Sequence, residues 1–179
     1  MRTLIILSAI PASGKSTWAA QYQATHPNVR IVSSDAIRME VTGGDYQDHS
    51  RQKEVWELFS KRIHEYGAID GTTVILDALN DTNALREKYV KENPEFDKYI
   101  LVLFQVNAER CRHYNALRPQ NISVPENIMD ILINKFEQPT EEIKNLFDEI
   151  WEIRWRDRVW LLVDDFITGG VNKWITDIH

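Results

Sequence analysis

The sequence predicts an α/β fold in which a five-stranded, mostly parallel sheet is flanked by helices on both faces. Short unbroken apolar runs alternate with stretches of helical periodicity, the pattern of strands buried on both sides and joined by crossover helices. The size also fits. A chain of 179 residues with 43% apolar and 10% aromatic content forms one ordered domain with a sizeable core.

The elements follow in order. Thr3 to Leu7 is an apolar strand that runs through Ser8 into the turn Ala9-Ile10-Pro11-Ala12-Ser13-Gly14. A helix follows from Lys15 to about Ala24 and has ended by Pro27. Val29 to Ser33 and Thr73 to Leu76 read as the second and third strands, and Tyr99 to Val106, rich in β-branched and aromatic residues, as the fourth. Helical stretches cover Gln52 to Tyr66, Asn83 to Lys91, Ala108 to Leu117 and Pro125 to Phe136. A short helix is expected within Pro139 to Phe147, where Glu141 and Glu142 follow Thr140 near the positive end. Glu149 to Trp155 reads as the fifth strand, whereas Arg158 to His179 has apolar residues without a clean period and a Gly169-Gly170 turn.

Composition narrows the classes. Collagen-like, disulfide-scaffold and low-complexity chains are excluded, and the aromatic content argues against disorder. A lone Cys111 forms no internal disulfide and no cysteine-built zinc site, so a cytoplasmic location is expected. No run approaches ~18 apolar residues, so neither signal peptide nor membrane span is expected. With 21 Lys+Arg against 27 Asp+Glu, the net charge of -6 argues against coating long nucleic acid but leaves room for a small basic pocket.

The sharpest motif is Ala9-x-x-x-x-Gly14-Lys15-Ser16, directly after a strand and directly before a helix. That is the context a Walker A loop requires. Such a loop wraps backbone N–H groups around ATP phosphates, with the positive helix end behind them. Ala12, Ser13, Gly14, Lys15, Ser16 and Thr17 are the candidate ATP-binding residues, with Lys15 reaching the β- and γ-phosphates and the Ser16 hydroxyl on Mg2+. Ala9 replaces the usual first glycine, a small change that keeps the spacing. The competing reading is an ordinary strand-to-helix turn.

Other P-loop classes fit less well. Val74-Ile75-Leu76-Asp77 is followed by Ala78, so the water-activating glutamate of a motor ATPase is missing. Asn134-Lys135-Phe136-Glu137 ends on the wrong residue for guanine reading and lies inside a helical pattern. Phosphotransfer to an acceptor remains. A kinase needs a carboxylate to orient the acceptor hydroxyl and take its proton, and a cation to hold the acceptor. Ser33-Ser34-Asp35-Ala36-Ile37-Arg38 offers both at the carboxyl end of the second strand, where α/β folds border their binding crevice. A helix beginning after Ser34 sets Asp35 and Arg38 three apart on one face; a plain N-cap with a surface ion pair is the alternative.

Ile10-Pro11-Ala12-Ser13-Gly14-Lys15-Ser16-Thr17-Trp18-Ala19, then Ser34-Asp35-x-x-Arg38, then Asp77 with Asn80 resemble the kinase domain of bacteriophage polynucleotide kinase and its small bacterial P-loop relatives, from about residue 1 to residue 150. The resemblance implies transfer of the ATP γ-phosphate to the 5′-hydroxyl of a nucleic-acid end. It casts Asp35 as general base, Arg38 on the acceptor's phosphate, and Asp77 beside them, supporting Arg38 or the metal shell. Read without it, Asp77 caps the helix after Asn80. The family also carries a helical lid with an arginine on the transferring phosphate. Arg118, in the Asn115-x-x-Arg118 string, matches best although one extra residue separates it from Val124-Pro125; Arg112 is the second candidate, on the nucleotide, and Arg110 lies in the same run, which also reads as a solvated helix face.

Two departures stand out. Asp70-Gly71-Thr72 resembles the phage phosphatase string, but Ala68 replaces its upstream Asp and the chain has no room for that domain; and Ala12 stands where the phage loop has glycine. The expected organisation is a single domain over residues 1–179, with a core of about 1–155, a lid of about 107–137 and a C-terminal extension over 156–179. Alternation from Trp151 to Trp160 sets Trp151, Ile153 and Trp155 against Arg154, Arg156 and Arg158, either as a packed and a solvated face or as a row for phosphates and bases. The five His show no paired ligand spacing, so Mg2+ with ATP is the metal expected. Besides a nucleic-acid 5′ end, a small-molecule hydroxyl acceptor such as a nucleoside, sugar or nucleotide-sugar fits the same chemistry, and an ATP-binding toxin or sensor acting through a protein is the reading from another class. No membrane or protein partner is evident in the sequence.

Overall fold

A computed structural model of the chain describes residues 1–156, 159–164 and 174–175. β1 (Thr3–Ser8) leads into α1 (Lys15–Thr25) and β2 (Val29–Ser33); α2 (Ser34–Thr42) and α3 (Gln52–Gly67) precede β3 (Thr73–Asp77). α4 (Asn83–Glu92) connects to β4 (Lys98–Phe104), and α5 (Ala108–Ala116), α6 (Glu126–Lys135) and α7 (Glu141–Lys144) lead to β5 (Glu149–Arg156). β6 (Val159–Asp164) and β7 (Trp174–Ile175) follow. The sheet order is β2-β3-β1-β4-β5-β6-β7.

The first five strands are parallel, as expected. The sheet is nonetheless larger than five strands. β5 pairs antiparallel with β6, Trp151 opposite Asp164, and β6 antiparallel with β7. The segment read as an aperiodic extension thus contributes edge strands, because antiparallel pairing to β5 needs no helical crossover. Arg158 and the Gly169-Gly170 turn lie outside the described residues.

β1 shows why the core has two halves. It is buried along its whole length, and its alternating side chains enter opposite layers. Leu4 and Ile6 pack with Val32, Ile37, Phe59, Ile63 and Leu76 under α2, α3 and α4. Ile5 and Leu7 pack with Trp18, Ala19, Ile75 and Val102 under α1. Trp18, part of the motif string, is a core residue stacked on Tyr22 at 5.2 Å and edge-on to Phe104 at 6.1 Å.

Register positions the chemistry. Ser33 lies opposite Asp77, so β2 and β3 end side by side, next to the end of β1. At that carboxyl edge Ser33, not Ser34, caps α2 by accepting from the Ala36 N–H at 3.3 Å. The α5–α6 pair stands above it on a small core of its own, where Ile10 from the loop meets Cys111 and Met129. Among the described residues no helix is long and apolar enough to cross a membrane.

Candidate active site

The loop after β1 is shaped by two residues with positive φ. Gly14, at φ 87°, is the N-cap of α1, and Ala12 holds φ 59°. Glycine reaches that region freely, whereas a residue with a β-carbon does so at a cost of roughly 1–2 kcal/mol. Such local strain is characteristic of functional loops. Ser16 and Thr17 are exposed at the mouth of α1. The Ser13 hydroxyl is buried yet has no hydrogen-bond partner, so the loop retains an unmet polar group.

Lys15 turns inward. Its Nζ lies 3.0 Å from Asp77 Oδ1, with side chains only 11% and 5% exposed. Asp77 was expected beside Asp35 and Arg38, supporting Arg38 or the metal shell, or as the cap of the next helix. Its partner is Lys15 instead, because β1 and β3 are neighbours and the loop carries Lys15 over the end of β3. The α4 cap is Thr82, whose hydroxyl accepts from Leu85 N–H at 3.3 Å.

Asp35 and Arg38 do meet on one face of α2. Arg38 Nη1 donates to Asp35 Oδ1 at 2.9 Å, and the Tyr46 hydroxyl donates to Asp35 Oδ2 at 3.1 Å. The second guanidinium nitrogen reaches Gln52 Oε1 at 3.5 Å, while Arg38 Nε is buried without a partner. Arg38 is nearly enclosed at 8% side-chain exposure and Asp35 is open at 40%. A surface ion pair does not fit that asymmetry. Burial, and secondarily the Asp35 carboxylate, pushes the Tyr46 phenol up to about 12.

These groups border one cleft of about 740 Å³, lined by Lys15 from the loop, Asp35 and Arg38 from α2, Tyr46, and Arg118 from the α5–α6 connection. That is a typical size for a small-molecule site. Arg118 makes no side-chain hydrogen bond or ion pair among the described residues, and its charge works against the rise of the Tyr46 pKa. Arg112 is not among the residues lining the cleft. It pairs with Glu126 and, at 2.5 Å, with Asp130, tying α5 to α6. Arg154 is paired with Glu152 at 2.9 Å, and Trp151 packs on Trp18 and Tyr22.

Several site residues escaped sequence reasoning. Tyr46 and Gln52 had no motif; their signal was only proximity to the Asp35 helix. Gln47 joins the same loop to the α5–α6 connection by donating to the carbonyls of Asn121 and Ser123 at 3.2 and 3.1 Å. Behind β1 lies a buried polar cluster. Arg86, wholly enclosed, donates to Ser8 Oγ at 2.9 Å, Asn83 Oδ1 at 2.7 Å and the Glu137 carbonyl at 2.7 Å, and burial pulls its pKa down to about 10. It links the end of β1 to the exit of α6. Among the described residues no group of three or more His, Cys, Asp or Glu is placed to hold a metal.

The strand order, the loop and its inward lysine define a P-loop NTPase with a kinase-like architecture. The chain belongs to the AAA domain family, whose model matches residues 4–139. Among solved structures, Kti12 of Chaetomium thermophilum in complex with ADP-AlF3 is similar with a TM-score of 0.64 at 17% identity, covering 86% of this chain and 90% of that one. A chain of the Pnkp1/Rnl/Hen1 RNA repair complex gives 0.65 at 21% identity over 82% of this chain, which spans 46% of the length of that one. A gluconokinase from Sinorhizobium meliloti 1021 gives 0.51 at 16% identity, covering 85% and 82%. At these identities the likeness establishes the fold. No curated protein matches the sequence.

Proposed function

We propose that the protein is an ATP-dependent phosphotransferase whose acceptor is the 5′-hydroxyl of DNA or RNA. The observation that carries this is the Asp35 carboxylate, held on both oxygens by Arg38 and Tyr46 in the cleft that also receives Lys15. The residues present fit ATP with Mg2+: an unpartnered Ser13 hydroxyl, the exposed Ser16 and Thr17 hydroxyls, and a loop whose N–H groups open around Gly14.

Lys15 leaves Asp77 for the β- and γ-phosphates and binds them as a point charge. Ser16 would hold Mg2+, which when bound neutralises charge on the phosphate oxygens. Asp77, once released, would accept hydrogen bonds from water on that metal. Asp35 accepts the acceptor hydroxyl proton on a free lone pair as the new O–P bond forms and the bond from the γ-phosphorus to the β,γ-bridging oxygen breaks. Arg38 fixes Asp35 and sets its positive charge at the cleft, toward the acceptor's phosphate. Arg118, uncommitted in the cleft, stabilises charge on the transferring group as a lid arginine, while Arg112 braces that lid. Catalysis is positioning plus electrostatics.

The test is transfer of label from γ-labelled ATP to 5′-hydroxyl oligonucleotides, nucleosides and gluconate, with Asp35→Asn as control. Labelled oligonucleotide ends that disappear in Asp35→Asn are expected. Label on gluconate or a nucleoside but on no oligonucleotide would overturn the acceptor, and the structural likeness to a gluconokinase makes a sugar the second reading.

A further inference from the structure

The cleft continues well past the residues that phosphoryl transfer needs. From Gln52, which touches Arg38, one face of α3 runs along it through Trp56, Phe59 and Ile63. These positions recur at helical spacing and climb about 16 Å along the axis, enough for a whole nucleoside beyond the reacting hydroxyl. Leu85 and Tyr89 of α4 and its C-cap Asn93 line the cleft as well. Phe59 and Tyr89 approach at 5.9 Å between ring centres, and Trp56 meets Phe59 at 5.3 Å, so the floor is aromatic.

Two features of this slot ask for a ligand. Trp56 is 42% exposed although Phe59 and Tyr89, which line the cleft beside it, are buried. Asn93 is 2% exposed; its Nδ2 donates to the Tyr89 carbonyl at 2.7 Å, but its Oδ1 is buried with no partner. A buried acceptor without a donor is a cost that folding rarely leaves standing. The missing group must be flat enough to stack on aromatics and must present an N–H. An aliphatic chain lacks the donor, and a sugar lacks the flat face.

We propose that the slot between α3 and α4 binds the terminal nucleobase of the phosphoryl acceptor, stacked on Trp56 with an exocyclic amine donated to Asn93. The proposal rests on the nucleic-acid reading above and adds to it a site that selects among ends. The base would enter beyond Arg38, leaving the 5′-hydroxyl at Asp35, because Gln52 joins the two segments. Stacking is tolerant of sequence, whereas the Asn93 oxygen favours bases with an exocyclic amine.

The experiment compares oligonucleotides identical after the first position and bearing a 5′-terminal adenosine, a purine riboside without the 6-amino group, or an abasic residue. They are phosphorylated by the wild-type chain, Trp56→Ala and Trp56→Phe. The abasic end is expected to lose about tenfold in kcat/KM with the wild type, chiefly through KM, and the purine riboside a smaller factor. Trp56→Ala should lose about tenfold on adenosine ends and nothing more on abasic ends, with Trp56→Phe recovering much of the difference. Abasic and adenosine ends phosphorylated alike, or an abasic penalty undiminished in Trp56→Ala, would overturn the slot while leaving the kinase reading intact. No labelled oligonucleotide from the wild type would overturn both.

Discussion

The loop side of the cleft comes from one unbroken stretch, Ala9 to Thr17, whereas the opposite side is assembled from α2, the segment around Tyr46, α3, and the α5–α6 connection. The first relies on backbone groups and one lysine. The second relies on side chains that hold each other: Arg38 on Asp35, Tyr46 on Asp35, Gln52 on Arg38. A backbone cradle suits a ligand part that is always the same, and a side-chain assembly suits one that differs between enzymes of a shared fold.

If that division holds, variants on the two sides fail differently. Lys15→Ala should weaken nucleotide binding and cut turnover by about 10²–10³, since it removes a charge contact with the transferring group. Asp35→Asn should cut turnover by about 10²–10⁴ and leave nucleotide affinity near that of the wild type. Calorimetric titration with a non-hydrolysable ATP analogue, set beside single-turnover rates, separates the two patterns. A large loss of nucleotide affinity in Asp35→Asn would mean that the sides are not separate.

The same division explains what the sequence revealed. The loop was legible because its chemistry needs fixed residue types at fixed spacing beside a strand and a helix, and the buried strands were legible as short unbroken apolar runs. Asp35 and Arg38 were legible because they share one helical face. Tyr46 and Gln52 were not, since the contacts that matter span 11 and 14 residues and no local pattern encodes them. Asp77 was legible as a carboxylate at a strand end, but its pairing with Lys15 was not, because which cation reaches a strand end depends on strand order. β6 and β7 were missed because an antiparallel edge on a parallel sheet leaves a weaker periodic signal than buried strands.

Asp77 is where the loop meets the sheet, so Asp77→Ala tests how firmly the loop is held before any ligand arrives. Removing one member of an enclosed ion pair costs about 3–5 kcal/mol, and the opening of the cleft beside Lys15 reduces this to about 2–3. Urea unfolding should show that deficit in the free protein and a smaller one with saturating ATP, because phosphates then take over the lysine. An equal deficit under both conditions would show that Lys15 stays on Asp77 and does not exchange partners.

Tyr46 gives the acceptor side a pH signature. Its phenol is pushed up to about 12 by burial and by Asp35, against about 10 in an unfolded chain. The unfolded state therefore loses its proton first as pH rises. Stability from this group is present below about pH 10 and is lost between about 10 and 12, by about 1–2 kcal/mol after allowing for solvent. Tyr46→Phe should flatten that part of the stability profile and slow phosphotransfer about tenfold, through the lost hydrogen bond to Asp35. A variant with the wild-type alkaline profile would remove Tyr46 from the account of the site.

The smallest effect probes whether the sides are independent at all. Ala12 holds φ 59° with a methyl group, a strain of roughly 1 kcal/mol that Ala12→Gly relieves. The greater freedom of glycine in the unfolded chain takes back about 0.5–1 kcal/mol, so the loop in isolation would change little or gain slightly. Ala12 is not isolated, however: it packs against the cluster of Ile10, Cys111 and Met129, which joins the loop to α5 and α6. If urea unfolding shows Ala12→Gly to be less stable by about 0.5 kcal/mol or more, the lost methyl contact outweighs the relieved strain. The loop would then be partly held in its strained shape by the helices that carry Arg118, and the uniform side of the cleft would depend on the variable one.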